Sequence, residues 1–159
     1  MSRVGWGFDA HPLNDEPPLL LGGVVVSDTE GVSATSDGDV LAHAVTDAVL
    51  GACVLGDIGG HFPSDDPASH GADSMAILRQ AVTMARASGW GPVHVDVTVV
   101  AESIRVSPHR EEIRSLLAEA MAMSVDATSV KATTTDGLGF LGRGEGLAVI
   151  AVVTVEALS

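Results

Sequence analysis

The chain is poor in the residues that tether or decorate small domains: it has no Tyr, three Phe, two Trp and a single cysteine in 159 residues. One cysteine, Cys53, excludes an intrachain disulfide and suits a reducing compartment, so the chain is read as cytoplasmic. Positive charge is scarce as well. Eight Lys+Arg face 21 Asp+Glu for a net charge of −13, which repels a phosphate backbone and excludes non-specific nucleic-acid binding. Any anionic substrate has to arrive with cations. Long apolar runs are missing too: Leu147 to Val155 falls well short of the ~18 residues of a membrane helix, and the N-terminus lacks the regions of a signal peptide. What the chain does have is apolar mass, at 46% of residues, and 18 glycines gathered in a few clusters. At ~100–200 residues per domain it is read as one domain, 1–159, whose core needs no metal or disulfide staple.

Val4 to Phe8 reads as a strand that delivers Asp9 and His11 at its end, before prolines force a loop. Leu19–Leu21 and Val24–Val26, split by Gly22-Gly23, read as two strands joined by a tight turn. Ser36 or Asp37 is the expected cap of a very apolar helix that runs to Leu55 and stops at Gly56. A long loop follows to Gly71, then a helix capped by Asp73 and ended by Gly89. Val93–Ala101 alternates like a half-buried strand, Ser107-Pro108 opens a third helix, Val130–Thr135 is a strand, Asp136–Gly146 is glycine-rich, and Leu147–Val155 is a strand apolar on both faces. The order predicts an α/β (α+β) fold, a four- to five-strand mixed sheet with helices on one face. The second apolar face of the last strand is covered either by copies of the chain or, alternatively, by burial within one subunit.

Asp9-Ala10-His11 puts two ligand-type side chains on one side of an extended segment, and His43 follows His11 by 32 residues on a helix that also carries Asp47 one turn on. Two imidazoles and a carboxylate make a zinc set with an open fourth position, and Asp47 is placed to orient a ring nitrogen. By spacing alone, surface or core histidines explain the same pattern; His61, His70, His94 and His109 have no comparable partners and are read as surface residues. Thr35-Ser36-Asp37-Gly38-Asp39 before the first helix suits a phosphate or simply a helix cap. Thr133-Thr134-Thr135-Asp136 suits phosphate oxygens and a hard cation, or is plain β-propensity. Arg143 and Glu145 among glycines read as an ion pair or a site.

Together the segments G-x-G-F-D-A-H, S-D-G-D-V-x-x-H-A-x-x-D-A, G-D-I-G-x-x-F-P and K-A-T-T-T-D-G-L-G-F-x-G-R-G-E-G resemble the 2-C-methyl-D-erythritol 2,4-cyclodiphosphate synthase family over essentially the whole chain. The resemblance implies conversion of 4-diphosphocytidyl-2-C-methyl-D-erythritol 2-phosphate to the cyclic diphosphate with release of CMP, in the non-mevalonate isoprenoid pathway. It implies a homotrimer with sites between subunits, Zn²⁺ on Asp9, His11 and His43, and Mg²⁺ or Mn²⁺ near Asp136. Thr35 and Ser36 then fall on the diphosphate-contacting pair, and Thr134 on a residue that stabilises the transferring phosphate. Asp57, Ile58 and Gly59, with Phe62, Pro63, Ser64, Asp65 and Asp66, correspond to the methylerythritol loop. The cytidine diphosphate is cradled, from the neighbouring subunit, by two segments. These are Ala101, Glu102, Ser103, Ile104, Arg105, Val106 and Ser107, and Lys131, Ala132, Thr133, Thr134, Thr135 and Asp136. Phe8, Phe140, Arg143 and Glu145 resemble residues by an axial channel where isoprenoid diphosphates bind.

Three positions depart from the family pattern: Thr35 replaces a His, Ile104-Arg105-Val106 replaces a Pro-Lys-Leu type segment, and Asp136 replaces a Glu. Two other readings use the same residues: a zinc phosphohydrolase giving a linear product, and a trimeric isoprenoid-diphosphate-binding protein with a weakened catalytic site. A start at Met1, close before the first strand, speaks against an N-terminal fused cytidylyltransferase. Thr35→His is expected to leave turnover equal or higher in a steady-state assay; a large loss would show a site rebuilt around Thr35.

Overall fold

In this computed structural model, which describes residues 1–159, side-chain alternation organises the first strand. In β1 (Ser2–Asn14) Gly5 and Gly7 point inward while Val4, Trp6 and Phe8 point outward. The strand runs past its expected end at Phe8, because Pro12 sits opposite Gly146 near the strand's terminus, where its missing N–H costs little. β2 (Leu19–Leu21) and β3 (Val24–Ser27) form the expected hairpin, with Gly22 and Gly23 at φ of +61° and +80°. β4 (Gly31–Val32) pairs with the end of β1.

The apolar helix α1 (Val40–Ala52) is capped by Asp39, not by Ser36 or Asp37. The Asp39 carboxylate is fully buried and accepts from Ala42 N at 2.9 Å, Gly22 N at 2.9 Å and Gly23 N at 2.7 Å. It therefore caps the helix and pins the β2–β3 turn to it, a tertiary task that local sequence does not display. The long loop contains a single turn, α2 (Ile58–His61), and a 3-10 turn over Pro67–Ser69. α3 (Ser74–Ala87) is capped by Asp73 as expected, and Gly89 follows it at φ +87°. β5 (Trp90–Val100) leads through a 3-10 turn at Ser107–His109 to α4 (Arg110–Met121) and β6 (Thr128–Thr133). The glycine-rich stretch holds one further turn, α5 (Gly139–Gly142), before β7 (Gly146–Ala157).

The sheet order is β4-β1-β7-β5-β6, antiparallel except for the parallel β5–β6 pair. This is the mixed five-strand sheet expected. α1 lies on β1 and β7, α3 on α1 and β5, and α4 on β6, all on one face. The core fills the space between, from Leu41, Val45 and Val49 of α1 to Val97, Val99, Val149 and Val153 of the sheet. The opposite face carries Trp6, 62% exposed, stacked on Phe8 at 6.1 Å, beside half-buried Ile150 and Val152 of β7. No helix is long and apolar enough to cross a membrane.

Helix and sheet touch backbone to backbone at β1. A Cβ on Gly5 would run into the carbonyl oxygen of Ala48, and one on Gly7 into that of Ala44, with the Ala48 amide nitrogen only 2.8 Å away. Neither neighbour is a flexible side chain, so α1 itself has to move. Gly7→Ala is expected to cost ~3 kcal/mol in denaturant unfolding, at the upper end of overpacking effects; a loss below ~0.5 kcal/mol would show that α1 shifts freely.

Candidate active site

Pleating puts Asp9 and His11 on the inner face of β1, and the first turns of α1 bring His43 against them. His11 Nε2 and His43 Nδ1 each lie 3.1 Å from Oδ2 of Asp9, and one ligand atom from each residue falls within 4.8 Å of the other two. The far nitrogen of each ring is already engaged. His11 Nδ1 donates to the Ser33 carbonyl at 3.0 Å, since a carbonyl can only accept, which leaves Nε2 to ligate. His43 Nε2 lies 2.8 Å from Ser74 Oγ. Two imidazole nitrogens and a carboxylate oxygen thus converge on a gap that a cation, proton or metal, has to fill.

Burial pushes the Asp9 carboxyl up, but hydrogen bonds and charge from His11 and His43 outweigh it and hold the group at about 2. The same Asp9 contact raises His11 above its usual 6.5, against the opposing effect of burial. The donor set and its oriented rings fit a zinc site with an open fourth position. Contrary to the expectation from its helical spacing, Asp47 does not orient His43; its carboxylate accepts from Ile58 N at 2.7 Å and holds the start of α2. Burial, the largest influence on Asp47, pushes its carboxyl up.

The triad sits in the wall of a cavity of about 400 Å³ that Thr35, Ser36, Ile58 and Gly59 also line. Phe62, Pro63, Ser64 and Asp65 of the expected loop line it too, joined by Ala34, Ser69 and Ile77, which the sequence did not single out. Asp57 and Asp66 stand apart from the wall. Their carboxylates cap short turns, through Gly60 N and Ala68 N at 2.9 Å each. The Thr35 carbonyl accepts from Gly71 N at 2.9 Å and Asp37 N donates to Ala72 O at 3.1 Å, so the long loop is stitched to the phosphate-type segment.

A second cavity, of about 540 Å³, joins Ala101–Pro108 to Ala132, Thr133 and Thr134 at the C-terminal ends of β5 and β6. Arg105 and Ser107 line it; Lys131 does not, and instead pairs with Asp96 at 2.5 Å. Glu102 lines it too, but its carboxylate accepts from Thr135 N at 2.9 Å, Thr135 Oγ1 at 3.2 Å and Gly137 N at 3.3 Å. Those bonds, the Thr135 amide foremost, hold the Glu102 carboxyl below the usual range. They also brace Asp136, which sits at φ +54°, in the left-handed region. Thr134 Oγ1 accepts from Asp136 N at 3.1 Å and donates to Asp136 Oδ1 at 3.3 Å. Phe140 lines a third cavity, of about 340 Å³, with His11 and Glu145, while Arg143 is paired with Glu145 at 2.7 Å.

The two main cavities do not meet within one chain. Asp9, Val149, Val99 and Ala132 occupy one row across β1, β7, β5 and β6. Three strand spacings set Asp9 roughly 14 Å from Ala132.

The YgbB family model matches residues 2–156. The 2-C-methyl-D-erythritol 2,4-cyclodiphosphate synthase of Bordetella pertussis is 50% identical over 151 residues, covering 95% of this chain and 93% of that protein. Among solved structures, the bifunctional IspDF of Campylobacter jejuni superposes with a TM-score of 0.97 at 41% identity, covering 100% of this chain and 43% of that longer one. The IspF of Plasmodium falciparum, in complex with CDP, gives a TM-score of 0.86 at 27% identity over 99% of this chain and 97% of that one.

Because protonated His11 has to release its proton to ligate, zinc affinity is expected to fall as pH drops through the raised His11 value. The fall should be about tenfold per pH unit once that proton is bound. A chelator-competition titration measures it, and an affinity flat with pH would contradict this geometry.

Proposed function

Because the chain belongs to the YgbB family, we propose that it is a CMP-releasing phosphorus–oxygen lyase: it converts 4-diphosphocytidyl-2-C-methyl-D-erythritol 2-phosphate to 2-C-methyl-D-erythritol 2,4-cyclodiphosphate. The reaction belongs to non-mevalonate isoprenoid precursor biosynthesis. Asp9, His11 and His43 converging in the wall of a substrate-sized cavity is the observation that carries this reading. Binding without turnover, by an isoprenoid-diphosphate-binding protein with a weakened site, is not favoured, since curated relatives such as that of Bordetella pertussis are named as synthases.

In the reaction an oxygen of the 2-phosphate bonds to the β-phosphorus while the bond from that phosphorus to the α–β bridging oxygen breaks, so CMP leaves and no water is consumed. Zinc on Asp9, His11 and His43, with Mg²⁺ or Mn²⁺ near Asp136, supplies charge neutralisation and polarisation of the diphosphate when bound. The chain's own side chains orient and stabilise. Ser36 Oγ accepts from Gly38 N at 3.3 Å, which leaves its proton free to donate to a phosphate oxygen in the cavity. Thr35 presents a short neutral hydroxyl beside it in the same wall. Ile58, Phe62 and Pro63 give the apolar wall for the methylerythritol part, and the capped, stitched loop holds that part folded so nucleophile and phosphorus approach in line. Thr134 turns its proton from Asp136 to the transferring phosphate as negative charge develops there.

The separation of the two cavities supports a homotrimer in which the Ala101–Ser107 and Lys131–Asp136 segments of one subunit complete the metal cavity of the next. Exposed Trp6 and Phe8, with Ile150 and Val152, supply the apolar face to be covered. Phe8 lies on that face, Phe140 and Glu145 line the third cavity, and Arg143 is paired with that Glu145; this is the place for an isoprenoid diphosphate, and Arg143 has to leave Glu145 to bind one. Buried Cys53, its thiol pushed up by burial, favours a cytoplasmic enzyme.

With substrate and Mg²⁺, ³¹P NMR is expected to show cyclic diphosphate and CMP, lost on chelation and restored by Zn²⁺. A linear phosphate product would instead support a zinc phosphohydrolase, and unchanged substrate at full zinc would overturn the proposal. His43→Ala and Thr134→Ala chains, each inactive, should regain activity when dissociated and mixed, with about one quarter of sites intact under random three-fold reassembly. No recovery, with a monomer by light scattering, would overturn the shared site.

A further inference from the structure

His43 is joined on its far side to a chain of groups that neither the fold's core nor the cavity requires. Nε2 lies 2.8 Å from Ser74 Oγ, and Ser74, fully buried at the first position of α3, donates its hydroxyl proton to Asp37 Oδ1 in a very short hydrogen bond. Asp37 Oδ2 accepts from Ser74 N at 3.0 Å, and Oδ1 also accepts from Asp39 N at 3.2 Å. Ser36 Oγ is the other neighbour of Nε2, at 3.2 Å.

The polarity of this chain is forced. A carboxylate has no proton to give, so the contact between Ser74 and Asp37 consumes the one proton that the Ser74 hydroxyl owns. Ser74 Oγ can then face His43 only as an acceptor. The proton between them therefore belongs to Nε2, and Nδ1, 3.1 Å from Asp9 Oδ2, is the ring nitrogen left to face the cation position, carrying a proton toward that carboxylate or giving its lone pair to a metal. His11 reaches the equivalent state through the Ser33 carbonyl. The two histidines thus present opposite ring nitrogens, Nε2 and Nδ1, to one point, each enforced by its own acceptor.

We infer that Asp37 and Ser74 are positioning residues, which fix the His43 proton on Nε2 and so aim Nδ1 at the metal position. The inference rests on the reading of Asp9, His11 and His43 as a metal site, and it assigns to the S-D-G-D segment a task beyond contacting phosphate. It also ties α3 to the site: the serine that opens that helix sits where the carboxylate before α1 can hold both its hydroxyl and its amide. Partners of this kind behind a ligating histidine are worth ~10–100-fold in metal affinity.

The test uses the full-length protein with ¹⁵N-labelled histidine. Ring ¹⁵N spectra are expected to show His43 holding a proton on Nε2 in the wild type, as the Nε2–H tautomer once zinc occupies Nδ1. Ser74→Ala, which removes only one oxygen, should lose that single tautomer and weaken zinc binding ~10–100-fold by chelator competition, with thermal unfolding of the metal-free protein nearly unchanged. Asp37→Asn can donate from its amide to Ser74 Oγ and reverse the chain, so it should move the proton to Nδ1 and weaken zinc at least as much. If Asp37→Asn fails to fold for want of the Ser74 amide contact, Ser74→Ala alone decides. A wild-type tautomer and wild-type zinc affinity in Ser74→Ala would overturn the inference. A Ser74-dependent tautomer in a wild type that takes up no zinc would uphold the relay and overturn the metal reading instead.

Discussion

The site depends first on how closely α1 lies against β1. Gly5 and Gly7 offer bare backbone where any side chain would meet the carbonyls of Ala48 and Ala44. On the helix, Ala44, Ala48 and Ala52 are all buried, small enough to let the axis sink onto the strand. Side-chain alternation then does the rest: two and four residues beyond Gly7, Asp9 and His11 share its face, and His43 stands directly before Ala44 on the helix. The convergence of the triad and the packing of the helix are one geometric fact, so the glycines that make the contact are as much part of the site as Asp9, His11 and His43.

Charge explains much of what surrounds that contact. A chain at −13 that accepts a substrate with several anionic groups needs its carboxylates either neutralised or turned away. Most of those near the cavities are turned into the protein's own backbone: Asp47 toward Ile58 N, Asp57 toward Gly60 N, Asp66 toward Ala68 N, Glu102 toward Thr135 N and Gly137 N. Each shapes a loop while its charge is spread over amide donors. Asp9 stands out among them, because its partners are two histidines whose free nitrogens share its need for a cation.

Order and type of elements were legible because alternation and capping are local: the Gly22-Gly23 hairpin and the Asp73 cap stand where the pattern puts them, and the strand read from Val93 is present but opens earlier, at Trp90. The D-x-H pair was legible for the same reason, spacing offered His43 as the third member, and the resemblance of the whole motif order gave the set its weight as metal ligands. Tertiary roles were not. Asp39 looked like one of several acidic residues in a turn, yet it is the buried cap that joins the hairpin to α1, through bonds to Gly22 and Gly23 far back in the chain. Asp47 sits on the same helix one turn beyond His43, but that helix aims it at Ile58 rather than back at the ring. Ser74 carried no signal, since only the packing of α3 on α1 brings it within reach of His43. Asp57 and Asp66 matched a substrate loop by position, while their side chains serve its turns.

The roughly 14 Å that separates the metal cavity from the Ala132 end of the second one, three strand spacings across the sheet, bears on how the protein behaves at low abundance. On the proposed trimer no chain possesses a whole site, so output is not proportional to the number of chains but rises steeply around the concentration at which they assemble. Dilution, or weak expression, then silences the protein before any residue of it is altered.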